Sequence, residues 1–207
     1  MTTEKIKQMC EKGFATHKAT LIQNTDRYLI IDWRRTDGSG EYYVNYIVDK
    51  KRGSLIVSGD LGDSIATWYN HINPSDLKDW VKNDIGYYIS KVQCSSPLYY
   101  YESDNIVADI KEKLKDIDVD DLISTYNEYN YCCVRTEKEL WDRLDGDVST
   151  CIYTESFIPA KGTKDFCEEL DSDYWEWIYD CGKRIHPRVY LWADGFYRAY
   201  KQIEGVI

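Results

Sequence analysis

The chain is 207 residues long, 43% hydrophobic and 30% charged, the balance of a globular protein with one elaborated domain or two small ones. Its 36 acidic and 26 basic residues leave a net charge of −10, a field that repels nucleic acid and attracts basic protein surfaces. No apolar run reaches the roughly 18 residues of a membrane span, and the amino-terminal MTTEKIKQMC lacks a signal-peptide core, which argues against a membrane or secreted protein and for the cytoplasm.

From the amino terminus, TEKIKQMCEK (3–12) predicts a short helix ended by Gly13. ATLIQN (19–24), RYLIIDWRR (27–35), EYYVNYIVD (41–49) and SLIVSGD (54–60) are rich in β-branched and aromatic residues and read as strands. TDGSG (36–40) and KKRG (50–53) separate them as turns, with Gly38 and Gly53 at the hairpin tips because glycine accepts positive φ. An antiparallel meander of three or four strands is expected. Asn73 and Pro74 then mark a helix start, with Leu77, Trp80 and Val81 on one face. DIGYYISKVQCS (84–95) fits a strand or a helix, and LYYYE (98–102) reads as extended.

Ser103 suits the cap of a helix over 105–117, where Ile106, Val107, Ile110, Leu114 and Ile117 share a face. Residues 118–121 open another helix that runs to about Tyr131, placing acids where the amino-terminal dipole favours them. Thr136 and Glu139 have capping-box spacing ahead of Leu140, Trp141 and Leu144. Thr163 starts a helix on KDFCEELD, and 174–179 hold an aromatic helical turn. Pro187 opens a final helix over 188–203 whose stripe is Val189, Trp192, Phe196, Ala199 and Tyr200. The predicted class is α+β, with an N-terminal antiparallel meander followed by a helical C-terminal half. The sheet-centred part covers 1–102 and the helical, acidic part 103–207.

Nineteen Tyr and seven Trp stand beside only four Phe. Such side chains join a polar tip to a large apolar body, which suits both the faces of a sheet and a surface that a partner covers. The seven cysteines, at 10, 94, 132, 133, 151, 167 and 181, include no CxxC pair and lie at no metal-ligand spacing from histidine, so they read as reduced thiols. His17, His71 and His186 each stand alone. The loop 57–70 carries Gly59 and Gly62 around Asp60, with Asp63 next; two carboxylates there suit a divalent cation, while the plainer reading is a turn with Asp63 or Ser64 capping a helix. No GxSxG, HExxH, GxGxxG or Walker sequence occurs, which argues against an enzyme and for no cofactor.

The charge is unevenly spread. Residues 102–147 contain 14 acids and six basic residues, a net −8, whereas 181–207 is net +3 through Lys183, Arg184, Arg188, Arg198 and Lys201. Carboxylates one helical turn apart lie about 5–6 Å from each other, so a row of them imitates the charge line of a nucleic-acid backbone. The same tract also suits a solvated face that keeps the protein soluble. It equally suits a docking surface for the basic tail, within the chain or in a head-to-tail homodimer.

SGDLGDSIATWYN (58–70), IGYYISKVQCSS (85–96) and RIHPRVYLWADGFYRAYKQI (184–203) resemble small cytoplasmic proteins of phages and integrated elements of Gram-positive bacteria. The resemblance implies an accessory-gene context that includes inhibitors of host defence, and it carries over no catalytic residue. In size and charge the chain is similar to the many anti-CRISPR proteins that are small, acidic and free of enzymatic motifs and that occupy a nuclease's nucleic-acid channel. It is longer and richer in Tyr than most of them. The expected function is therefore a phage or mobile-element inhibitor in the bacterial host cytoplasm. Asp116, Asp118, Asp120, Asp121, Glu128, Glu137, Glu139 and Asp142 would bind the basic, nucleic-acid-binding surface of a defence nuclease, with no metal, no membrane and no direct nucleic acid. The alternatives are a small enzyme or nucleotide-binding protein built on Asp60, Asp63 and His71, and a self-associating structural or regulatory protein.

Overall fold

Alternation of apolar and polar residues builds the sheet that the sequence predicts, and the sheet is larger than predicted. In this computed structural model, which describes residues 3–206, helix α1 (Thr3–Gly13) precedes five strands: β1 (His17–Asn24), β2 (Tyr28–Arg35), β3 (Val44–Asp49), β4 (Ser54–Gly59) and β5 (Ser64–Thr67). With β6 (Val92–Ser95) they form one antiparallel sheet in the order β1-β2-β3-β4-β5-β6. Register places Trp33 opposite Val44, Ile31 opposite Tyr46 and Leu29 opposite Val48; Tyr46 and Val48 in turn face Val57 and Leu55. All of these side chains are fully buried, so the period of two puts one continuous apolar face on one side.

The β3–β4 turn is tied by its own residues. Asp49 accepts backbone hydrogen bonds from Lys51 at 3.1 Å and Arg52 at 3.0 Å, and Arg27 pairs with its other oxygen. Gly53 has φ 67° and packs so closely on Asn70 that a Cβ would lie 1.8 Å from its carbonyl oxygen.

Helix α8 (Pro187–Ile203) covers the apolar face, with α2 (Pro74–Asn83) and α1 beside it. Its buried stripe includes Val189, Trp192, Phe196 and Ala199, as the sequence predicts. Tyr46 donates its hydroxyl to the carbonyl of Trp192 at 3.1 Å, directly beneath Gly195. Each large side chain buried there stabilises the unit by about 1.5–3 kcal/mol.

Several predicted details differ. Ser64 neither caps a helix nor lies in a loop: it opens β5, is buried, and meets the Tyr88 hydroxyl at 2.8 Å. The ambiguous 84–95 divides into α3 (Ile85–Lys91), capped by the Asp84 side chain on the Tyr87 amide, and then β6. Asn73 caps α2 as expected, although Trp80 is substantially exposed rather than in its core face.

Residues 99–185 form a second, mainly helical unit. It contains β7 (Tyr99–Tyr100), α4 (Ser103–Lys113), α5 (Val119–Asn130), α6 (Glu137–Ser149), the hairpin β8 (Ile152–Tyr153) and β9 (Ser156–Phe157), α7 (Lys161–Leu170), and β10 (Arg184–Ile185) paired with β7. Ile106, Ile110, Tyr126, Leu140, Leu144, Phe166 and Ile178 fill its core, with the Tyr126 and Phe166 rings edge to face at 5.3 Å. Glu102, not Ser103, occupies the cap position of α4, α7 starts at Lys161 rather than Thr163, and 174–179 hold 3₁₀ turns (Tyr174–Glu176 and Ile178–Asp180).

The chain is α+β as predicted, but its division is not the expected 1–102 and 103–207. One unit is Met1–Leu98 together with His186–Ile207, and the other is Tyr99–Ile185. The last helix joins the sheet because its apolar stripe matches the buried face of β1–β4. That pairing is long-range and leaves no local mark in the sequence.

Candidate functional site

Separating the chain into its two units sharpens the charge asymmetry. Tyr99–Ile185 holds 22 acidic and 10 basic residues, a net −12, and the sheet unit holds 14 acidic and 16 basic, a net +2. All eight candidate carboxylates lie in the acidic unit, and all eight residues are exposed.

Local folding explains where they stand. Asp118 caps α5, its carboxylate accepting the Asp120 amide at 2.9 Å, and Asp120 and Asp121 occupy the first turn, where free backbone amides favour negative charge. The start of α6 repeats the pattern. Thr136 accepts the Glu139 amide at 3.2 Å, and Glu139 reaches back to the Arg135 amide at 2.9 Å. Glu137 accepts the Trp141 indole N–H at 2.9 Å, and Asp142 pairs with Lys138 one turn earlier. Asp121 and Glu128 are seven residues apart and share a face of α5. The carboxylates of Asp116, Asp120, Asp121 and Glu128 form no hydrogen bond or short ion pair among the described residues.

These residues do not form one unbroken row. Asp116, Asp118, Asp120 and Asp121 gather at the amino end of α5. Glu137, Glu139 and Asp142 follow its carboxyl end, beyond a helix about 18 Å long. The site is two acidic clusters linked by α5, with Glu128 between them.

A cleft between α4 and α6 adjoins the second cluster. Asp104, Val107, Ala108, Lys111, Trp141, Asp142 and Asp145 line about 590 Å³. Lys111 lies over the Trp141 ring at 4.8 Å, and Asp145 Oδ1 is buried with no hydrogen-bond partner among the described residues. Lys111 is thus the cation that already answers the indole face, and the carboxylates of Asp104, Asp142 and Asp145 outnumber it in the lining. Sequence reading missed Asp104 and Lys111 as members of this site, although Asp104, Ala108 and Lys111 already follow the i, i+4, i+7 spacing of one helix face.

The glycine loop does not gather its expected residues. Asp60 accepts the Tyr42 amide at 2.8 Å, and the Asp63 amide donates to the Ser96 hydroxyl at 3.1 Å. β5 then carries the chain about 13 Å away before the exposed His71. The cleft beside Asp60 is lined instead by Glu41, Tyr42, His186 and Arg188. His186 caps α8, its Nδ1 accepting the Arg188 amide at 3.2 Å, and burial together with the Arg188 charge holds it below the usual histidine range. His17 is a core residue, packed against Trp33 and Phe14 and also pushed down by burial. No group of three His, Cys, Asp or Glu able to hold a metal occurs among the described residues.

All seven cysteines are free thiols. Burial raises Cys10 to about 11 and Cys181 to about 12, and raises Cys167 further, so all three stay protonated and inert.

The basic tail is occupied elsewhere. Arg184 forms a two-pronged pair with Asp109 at 2.7 and 2.9 Å, Lys183 binds Asp180 at 2.8 Å, Arg198 binds Asp194, and Lys201 binds Glu204 at 2.7 Å. The Arg188 Nε–H donates to His186 Nδ1 at 3.1 Å. Within the acidic unit, neither Lys183 nor Arg184 is ion-paired with a candidate carboxylate among the described residues.

Among known proteins, no family model, no curated protein and no solved structure matches the chain.

Proposed function

We propose that this protein is an inhibitor from a phage or mobile element that binds the basic, nucleic-acid-binding surface of a bacterial defence nuclease of the Cas type in the host cytoplasm. The observation that carries this reading is the net charge of −12 in 87 residues, with eight exposed carboxylates. The two clusters at the helix starts would face the lysines and arginines that otherwise grip phosphates. The cleft beside Trp141, with three carboxylates against its own Lys111, would add to that attraction. Self-association through opposite charge is the weaker account, because +2 in the sheet unit offers little complement to −12.

The test replaces Asp116, Asp120 and Asp121 by Asn and Asp118 by Ser, which keeps the α5 cap. Inhibition and competition with nucleic acid for the nuclease are then measured over a salt series. The expected result is at least about tenfold weaker competition, a loss of about 1.4 kcal/mol, together with a shallower dependence on salt. Potency that is unchanged at every salt concentration removes this reading.

A further inference from the structure

Helix α1 does not close completely on the sheet unit. Between it, the end of α2, the start of α3 and the middle of α8 lies a recess of about 480 Å³, within the range of small-molecule sites. Ile6, Cys10, Ile85 and Ala193 give it an apolar wall. Cys10 contributes as a neutral thiol, its Sγ 3.9 Å from the Tyr190 carbonyl oxygen.

The charged residues of the wall have one sign. They are Lys7 and Lys82, in a chain of net −10. Behind the wall, the buried Asp194 binds both Lys82 and Arg198, one carboxylate held by two cations. Two cations share this one carboxylate, so it does not fully cancel the charge that Lys82 brings to the wall. Lys82 is partly exposed, and an ammonium has three donors, of which Asp194 occupies one. Lys7 forms no hydrogen bond or ion pair among the described residues.

We propose that this recess is a binding site for a small amphipathic anion, whose head meets Lys82 and Lys7 and whose apolar body lies along Ile6, Ile85 and Ala193. A carboxylate and a phosphate monoester share this chemistry. A cation meets repulsion there, and a neutral alcohol leaves the ammonium groups unanswered. The site is independent of the acidic unit and of the inhibitor reading.

The experiment titrates the full-length protein with octanoate, octyl phosphate, octan-1-ol and octylammonium, following the methyl resonances of Ile6 and Ile85. The expected result is saturable shifts with one or both anions, at least about tenfold tighter than with the alcohol or the amine. Which anion binds more tightly identifies the head group. Lys7→Met should weaken the anion by at least about threefold without changing the fold, because Lys7 is exposed and unpaired. Ile6→Trp should fill the recess and abolish the Ile85 response. Equal binding of octanol and the anions, absence of saturation for both anions, or an Ile85 response that survives Ile6→Trp overturns the proposal.

Discussion

Asp109 shows how one side chain can hold a segment in place. It accepts two bonds from Arg184 and a third, at 2.7 Å, from the Gly182 amide, and so fixes the 182–184 stretch to α4. The Arg184 pairing, helped by the Gly182 amide and opposed by partial burial, keeps its carboxyl below the usual carboxylate range. A depressed folded-state pKa adds stability above the unfolded value of about 3.9 and loses it as pH falls through the folded value. Asp109→Asn should therefore destabilise the protein by about 1–3 kcal/mol at neutral pH. The gap from wild type should narrow below about pH 4, which urea unfolding at several pH values will read; a pH-independent gap would rule out the charged pair as its cause. This role was invisible in the sequence, since the partner lies 75 residues away. The caps at Asn73, Asp118 and Thr136 were legible because cap chemistry is complete within four residues.

At the scale of elements, the contact of α8 with the sheet is limited by Gly195. A Cβ there would lie 2.3 Å from the Tyr46 hydroxyl and 3.1 Å from the Phe14 ring. Gly195→Ala gains about 1 kcal/mol in helix propensity, but overpacking of a closed core costs about 1–3 kcal/mol. The variant should thus be less stable, with a lower denaturation midpoint and a perturbed Tyr46–Trp192 hydrogen bond; a higher midpoint would show that the helix moves freely on the sheet. The meander from 19 to 60 was legible because four strands in succession carry long, β-rich runs, the last three of them separated by glycine turns. β5 and β6, at four residues each, are too short for a period to register, and the Tyr- and Ile-rich α3 has the composition of a strand. The stripe of α8 was also plain to read, but a stripe does not name the surface it meets.

For the whole molecule, the dominant fact is that −12 and +2 reside in separate units. Concentrated like charge strains the compact state, and salt relieves it. Raising sodium chloride from about 10 mM to about 1 M shortens the screening length from about 30 Å to about 3 Å. Amide exchange at Leu144 and Phe166 should slow over that range more than exchange at Ile31 and Val57, whose unit is nearly neutral. Equal slowing in both would point to a general salt effect rather than relief of repulsion. The sequence already displayed the acidic tract at 102–147 and a further −5 over 160–180. It did not display that the basic carboxyl-terminal residues divide between the two units, because that depends on how α8 packs.

The sheet unit is assembled from both ends of the described chain, with 87 residues of the other unit intervening. From the end of β4 to the start of α8 lie residues 60–186, so at about 5–20 residues per second the apolar face of β1–β4 waits roughly 6–25 seconds for its main covering helix. The acidic unit, by contrast, has every residue it needs by then. Biogenesis of this protein thus has a built-in order, in which every residue of the negatively charged unit is made before α8 can close on the nascent meander.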